Sequence, residues 1–107
     1  HSTQLRLLLH QENFESLATA CKALSHPARL AILQTLANRG TCICGEIVDV
    51  MPLSQATVSQ HLKVLKNAGL ITGEIKGQSS CYCINTETMR EISEEFGSLF
   101  GSLENCC

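Results

Sequence analysis

Residues 53–71 constrain this chain more than any other stretch. They read Leu53-Ser54-Gln55-Ala56-Thr57-Val58-Ser59-Gln60-His61-Leu62-Lys63-Val64-Leu65-Lys66-Asn67-Ala68-Gly69-Leu70-Ile71. Val58, Leu62 and Leu65 fall at i, i+4 and i+7, which makes one apolar stripe on a helix. Ser54 stands where a hydroxyl can cap the first turn. Asn67-Ala68-Gly69-Leu70 supplies a glycine stop, with Leu70 placed to fold back on the last turn. Gln55, Thr57, Ser59, Gln60, Lys63, Lys66 and Asn67 are left to the other sides. A helix of this kind must bury one face and leave the rest wet.

The rest of the chain has to provide the core for that face. Phe14, Leu17, Ala18, Cys21 and Leu24 recur at helical spacing and predict an amphipathic helix over about residues 4–24. Ser25-His26-Pro27 breaks it and starts another, with Leu30, Ile32, Leu33 and Leu36 apolar and Gly40 past its end. Residues 45–51 can hold a short helix that Pro52 stops. Residues 71–76 and 80–85 are strand candidates around Gly77-Gln78, a hairpin signal. From Thr86 onward Met89, Ile92, Phe96, Leu99, Phe100 and Leu103 repeat at helical spacing. The fold class expected is mainly α with a small β-hairpin wing: a winged helix-turn-helix with an extra helix at each end. Residues 1–107 make one domain by length, with a core over about 26–85. Each outer helix carries an apolar stripe that little else in the chain can cover, so a homodimer is expected.

Several classes are excluded on composition. No run of about eighteen apolar residues exists to span a membrane. The opening lacks the basic, apolar and cleavage regions of a secretory signal, so a cytoplasmic chain is expected. Seven cysteines are present, an odd number at uneven spacings, which argues against a disulfide scaffold. No Cys-x-x-Cys, βαβ pattern or glycine-rich anion loop supports an enzyme such as a thiol reductase, and no organic cofactor is expected.

The net charge of −2 argues at first against a nucleic-acid partner. Its distribution reverses that. Residues 26–80 hold Arg29, Arg39, Lys63, Lys66 and Lys76 against Glu46, Asp49 and Glu74, whereas residues 81–107 hold Arg90 against five glutamates. DNA affinity follows local cations rather than the total. On the wet face of the 55–67 helix, Gln55 and Gln60 suit adenine, Ala56 suits the thymine methyl, and Thr57 and Ser59 are less specific partners. Lys63 and Lys66 suit phosphates, and Ser54, the cap of this helix, is expected at the DNA as well. Lys76 and Gln78, at the hairpin tip, suit the flanking backbone or minor groove. Double-stranded DNA is the partner this face predicts.

His26-Pro27-Ala28-Arg29-Leu30-Ala31-Ile32-Leu33, the pair Cys42-Ile43-Cys44, the 53–65 segment and Ala68-Gly69-Leu70-Ile71 together resemble the ArsR/SmtB family of bacterial repressors. The resemblance spans roughly residues 14–92. It implies a homodimer that binds a palindromic operator and leaves it when an inducer binds. It also implies that Arg29 supports the reading helix or holds a phosphate rather than reading a base.

On a regular helix, Cys42 and Cys44 would point about 200° apart, but they converge if they lie at a frayed helix start. A helix N-terminus also favours thiolate. Soft thiolates select soft acceptors. Family members with Cys-x-Cys here resemble arsenic, antimony or cadmium/lead sensors, which makes trivalent arsenic the expected inducer. The commonest arsenic pattern has a further cysteine three residues on, where this chain has Ile47. The third sulfur is then expected from Cys106 or Cys107, although family members with C-terminal vicinal cysteines resemble metalloid sensors in their own right, which leaves two separate thiol sites as the alternative. The family's zinc site needs His and Asp on the last helix, and residues 86–107 contain neither. Cys81 and Cys83 share one side of a strand and are expected to fill the core, and Cys21 to be a buried small apolar residue. His61 is expected to be structural or close to DNA rather than a ligand. A repressor of the same fold that senses oxidants or persulfides through cysteine oxidation is the alternative reading.

Overall fold

The computed structural model describes residues 12–39, 43–44, 52–76 and 79–105, with backbone alone at 12–13, 43–44, 74–76 and 79–80. The described elements run α1 (Glu12–Ala23), α2 (Pro27–Arg39), β1 (Ile43–Cys44), α3 (Gln55–Asn67), β2 (Ile71–Lys76), β3 (Ser79–Ile84) and α4 (Thr86–Glu104). The strands form one antiparallel sheet in the order β1-β3-β2.

Helix α3 begins and ends as its residues dictate. Ser54 Oγ accepts from the Thr57 backbone N–H at 3.2 Å, satisfying one of the donors a helix start leaves over. At the other end Gly69 takes φ +80°, a conformation that costs a side chain but not glycine. That turn lets Gly69 N–H donate to Lys66 O at 2.9 Å and Leu70 N–H to Leu65 O at 3.1 Å. This is the double bond of a Schellman stop, and it carries Leu70 back onto the helix.

Leu70 and Ile71 are then buried together with Val58, Leu62 and Leu65. Ala20 and Ala23 of α1, Ile32 and Leu36 of α2 and Tyr82 of β3 complete this core. Each fully buried Leu, Ile or Val contributes about 1.5–3 kcal/mol. On α1 the inward face is Leu17, Ala20 and Ala23, while Phe14, Ala18 and Cys21 are exposed. The expectation of a buried Cys21 is therefore corrected. The helix carries apolar residues on two faces, and Cys21 lies on the outer one.

The hairpin pairs Ile71 with Ile84 and Lys76 with Ser79. At Gly73 an added Cβ would stand 2.5 Å from both Cys81 O and Tyr82 Cδ1, so the strands approach here as only glycine allows. Strand β1 is an addition to the expected hairpin. Ile43 pairs with Tyr82 and Cys44 with Cys81. The helix start expected at the Cys42-Ile43-Cys44 segment is thus corrected at residues 43–44, where the backbone joins a sheet. Cys42 and the short helix expected over residues 45–51 lie outside the described residues.

The hairpin is tied to both neighbouring helices through Asn85. Its backbone N–H donates to Leu70 O at 3.0 Å. Its Nδ2 donates to Gly69 O at 3.0 Å, and its Oδ1 accepts from Thr88 N–H at 3.3 Å as the cap of α4. One side chain therefore joins the end of α3, the end of β3 and the start of α4.

Candidate nucleic-acid interface and thiol strands

Helix α3 divides cleanly. Val58, His61, Leu62 and Leu65 are buried, while Gln55, Ala56, Ser59, Gln60, Lys63 and Lys66 are exposed. Thr57 is half-buried, with its hydroxyl 2.9 Å from that of exposed Ser54. Six of the residues expected at DNA thus stand on solvent-facing turns of one rigid helix, and Ser54 and Thr57 are partly committed to its cap. The Lys76 side chain and Gln78 lie outside the described residues. So do Cys42, Cys106, Cys107 and the side chain of Cys44.

His61 belongs to the dry face. Only 9% of its surface is exposed. Its ring lies 4.5 Å from that of His26, tilted by 51°. Arg29 Nη1 stands 3.4 Å from His61 Nδ1, and Arg29 Nε donates to Ala23 O at 2.6 Å. Arg29 therefore places its charge at the C-terminal end of α1, where helix carbonyls favour a cation. It is a brace between α1, α2 and α3, the support role that the family resemblance implied. Burial, then the charges of His26 and Arg29, hold the His61 pKa below its usual 6.5.

The sulfur groups are arranged differently from expectation. Tyr82 and Ile84 pack on the core. Alternation along a strand then places Cys81 and Cys83 on the opposite face. Both are half-buried and both are disulfide-bonded. They do not fill the core, because their parity in β3 is opposite to that of Tyr82. Sequence reasoning missed the pairing of Cys44 with Cys81 in the sheet. The two-residue spacing of both Cys-x-Cys pairs was the available signal, since it is the period of a strand. Among the described residues no group of three His, Cys, Asp or Glu side chains forms a metal site. No described helix is long and apolar enough to cross a membrane.

A capped helix with one wet face, followed by a hairpin and braced from behind by two helices, defines a winged helix-turn-helix of the kind used by DNA-binding transcriptional regulators. Residues 24–74 match the family model described as a helix-turn-helix domain. Over 81 residues the chain is 41% identical to the arsenical resistance operon repressor of Bacillus subtilis, covering 74% of this chain and 76% of that protein. Over 82 residues it is 38% identical to an uncharacterized HTH-type transcriptional regulator of Methanocaldococcus jannaschii, covering 76% of this chain and 91% of that one. A crystal structure of an ArsR family transcriptional regulator superposes with a TM-score of 0.73 at 19% identity, over 87% of this chain and 95% of that chain, which shows the same fold. The chain belongs to the ArsR/SmtB family of transcriptional repressors. It is a family of operator-binding regulators, not of enzymes.

Proposed function

We propose that this repressor is a homodimer that holds double-stranded operator DNA through α3 and the wing, and that trivalent arsenic, or a related thiophilic ion such as antimony, cadmium or lead, releases it by binding cysteine thiolates. Gln55, Ala56, Ser59 and Gln60 face base edges, with Thr57 beside them. Ser54, Lys63, Lys66, Lys76 and Gln78 hold backbone. Cys42 and Cys44 form the thiol pair at the sensing end, and Cys106 and Cys107 are candidate sulfurs from the C-terminal end. The observation that carries the reading is the position of Cys44: its strand is bonded to β3 of the wing. An ion held there acts on the element that flanks the reading helix. The likeness to a repressor of arsenical resistance supports the choice of arsenic.

Two uncovered apolar stripes support the homodimer. No residue of α4 is buried, although it spans 19 residues. Phe100 is 53% exposed and Leu103 58% exposed, and Phe14 and Ala18 of α1 are exposed as well. A second copy covers both stripes with one two-fold interface.

The test is operator affinity against arsenite for the parent, Cys42→Ser and Cys44→Ser. A coupling of ~1–3 kcal/mol weakens binding by roughly 5–150-fold in the parent. Serine variants that release their operator as readily as the parent would refute arsenic sensing at this pair. The disulfides at Cys81 and Cys83 favour one second reading, a repressor that senses oxidants or persulfides. Mass spectrometry after arsenite and after persulfide exposure separates the two.

A further inference from the structure

Cys44 and Cys81 are register partners in the β1–β3 ladder. Partners in an antiparallel ladder share a face, with Cβ atoms about 4.5–5.5 Å apart. Cys83 lies two residues along from Cys81, on the same face by the period of the strand. Three cysteine positions therefore share the sheet face that turns away from Tyr82 and the core. The disulfides at Cys81 and Cys83 are an independent observation, since they put both sulfurs within bonding reach of another sulfur. Both residues are only half-buried, so a small solute can reach them. Cys21, the free and exposed cysteine among the described residues, sits on α1, outside the sheet.

We propose that β3 completes a thiolate site at Cys44: Cys81 and Cys83, on the same sheet face, supply the two sulfurs that join it, and Cys106 and Cys107 do not. The proposal rests on the reading of this chain as a sensor of thiophilic ions, and adds where the sulfurs beside Cys44 come from. The site takes a small trivalent metalloid that bonds three sulfurs in a pyramid. It forms once a dithiol reductant has opened the disulfides by exchange, becoming a cyclic disulfide as each protein disulfide becomes two thiols. Arsenous acid then exchanges its three hydroxyl groups for the sulfurs of three thiols. Three As–O bonds break and three As–S bonds form, and each thiol proton leaves with a hydroxyl as water, with no change of oxidation state.

The location also explains how such a site would reach DNA. Strand β3 runs from the wing to Asn85, and Asn85 is hydrogen-bonded to Gly69 and caps α4. A clamp between β1 and β3 therefore pulls on the strand that joins the wing to the end of the reading helix.

The experiment is thiol footprinting of the reduced, full-length parent with iodoacetamide, with and without arsenite, read by peptide mass spectrometry. Arsenite is expected to protect Cys44 and Cys81, with Cys83 following, and to leave Cys106, Cys107 and the exposed reference Cys21 open to alkylation. Protection of Cys106 or Cys107 with Cys81 and Cys83 still open overturns the site and leaves arsenic sensing intact. Protection of the β3 cysteines with unchanged operator affinity supports the site and overturns induction by arsenic. No protection anywhere overturns both. The chain ending at Asn105 is expected to bind arsenite as the parent does, whereas Cys81→Ser raises the arsenite needed for half-saturation on the order of tenfold. A truncated chain that loses arsenite binding overturns the proposal, without reliance on the folding of any cysteine variant.

Discussion

Arg29 Nη1 stands 3.4 Å from Nδ1 of His61, across the joint between α2 and the reading helix. A guanidinium only donates, so this contact favours a neutral ring whose Nδ1 accepts. Burial acts in the same direction, as does the charge of neighbouring His26, and the folded-state pKa lies below the usual 6.5. Between the folded and unfolded values, the unfolded chain binds more protons. Stability therefore rises with pH across that window. His61 contributes stability above about pH 6.5, and this is lost as the pH falls through the folded pKa. Thermal melts from about pH 7.5 down to about pH 5.5 should show a steeper loss of Tm for the parent than for His61→Gln. Equal slopes would mean that His61 does not titrate across folding.

Arg29 should matter for stability rather than for base reading. Its Nε donates to Ala23 O, the carbonyl of the last residue of α1. Arg29→Gln removes a charged donor and leaves that part-buried carbonyl under-satisfied, which costs about 1–3 kcal/mol. Urea midpoints measure this directly. Sequence preference in a randomised operator library should stay the same in the variant. A changed base preference would place Arg29 on the DNA instead.

Gly73 is the tightest backbone approach in the hairpin. A methyl group there meets Cys81 O and the Tyr82 ring at once. The carbonyl belongs to the paired strand and cannot swing away as a flexible side chain would. Gly73→Ala should cost about 1–3 kcal/mol, the range for overpacking. Gly69→Ala works by another route, since nothing lies within 4 Å of its added Cβ and only the φ of +80° opposes it. That change should cost about 1–2 kcal/mol, and Gly69→Asn less, because Asn tolerates this conformation. Denaturation midpoints of the three variants check both arguments.

What the sequence makes legible is local. Ser54, the 58/62/65 stripe and Gly69 each act within one helix, and all three behave as their residue types dictate. Residues that depend on distant partners are harder to read. His61 resembles one more polar group on a polar face, because its partner Arg29 is 32 positions away. Cys81 and Cys83 resemble strand filling, because their parity is set by Tyr82 on the core and their register by Cys44 on β1. Cys21 is read as inward because α1 offers two apolar stripes, and periodicity alone does not say which one the core takes.

The exposed face of α3 makes the sharpest functional prediction, because its residues should fail in different ways. Lys63 and Lys66 are exposed in the second half of the helix, where a cation meets phosphate rather than base. Lys63→Ala should weaken binding to all sequences alike. It should also reduce the slope of log affinity against log salt by about 1, because one fewer phosphate is neutralised and one fewer counterion is released. Gln60 is an exposed amide able to pair with adenine in both directions. Gln60→Ala should cost about 1–3 kcal/mol at one operator position, relax the preference there and leave the salt slope unchanged. Fluorescence anisotropy over a salt series, with single-base operator variants, separates the two outcomes. If both substitutions lowered affinity uniformly with the same change in slope, the helix would be holding the backbone without reading sequence, and the wing or DNA shape would have to supply the specificity.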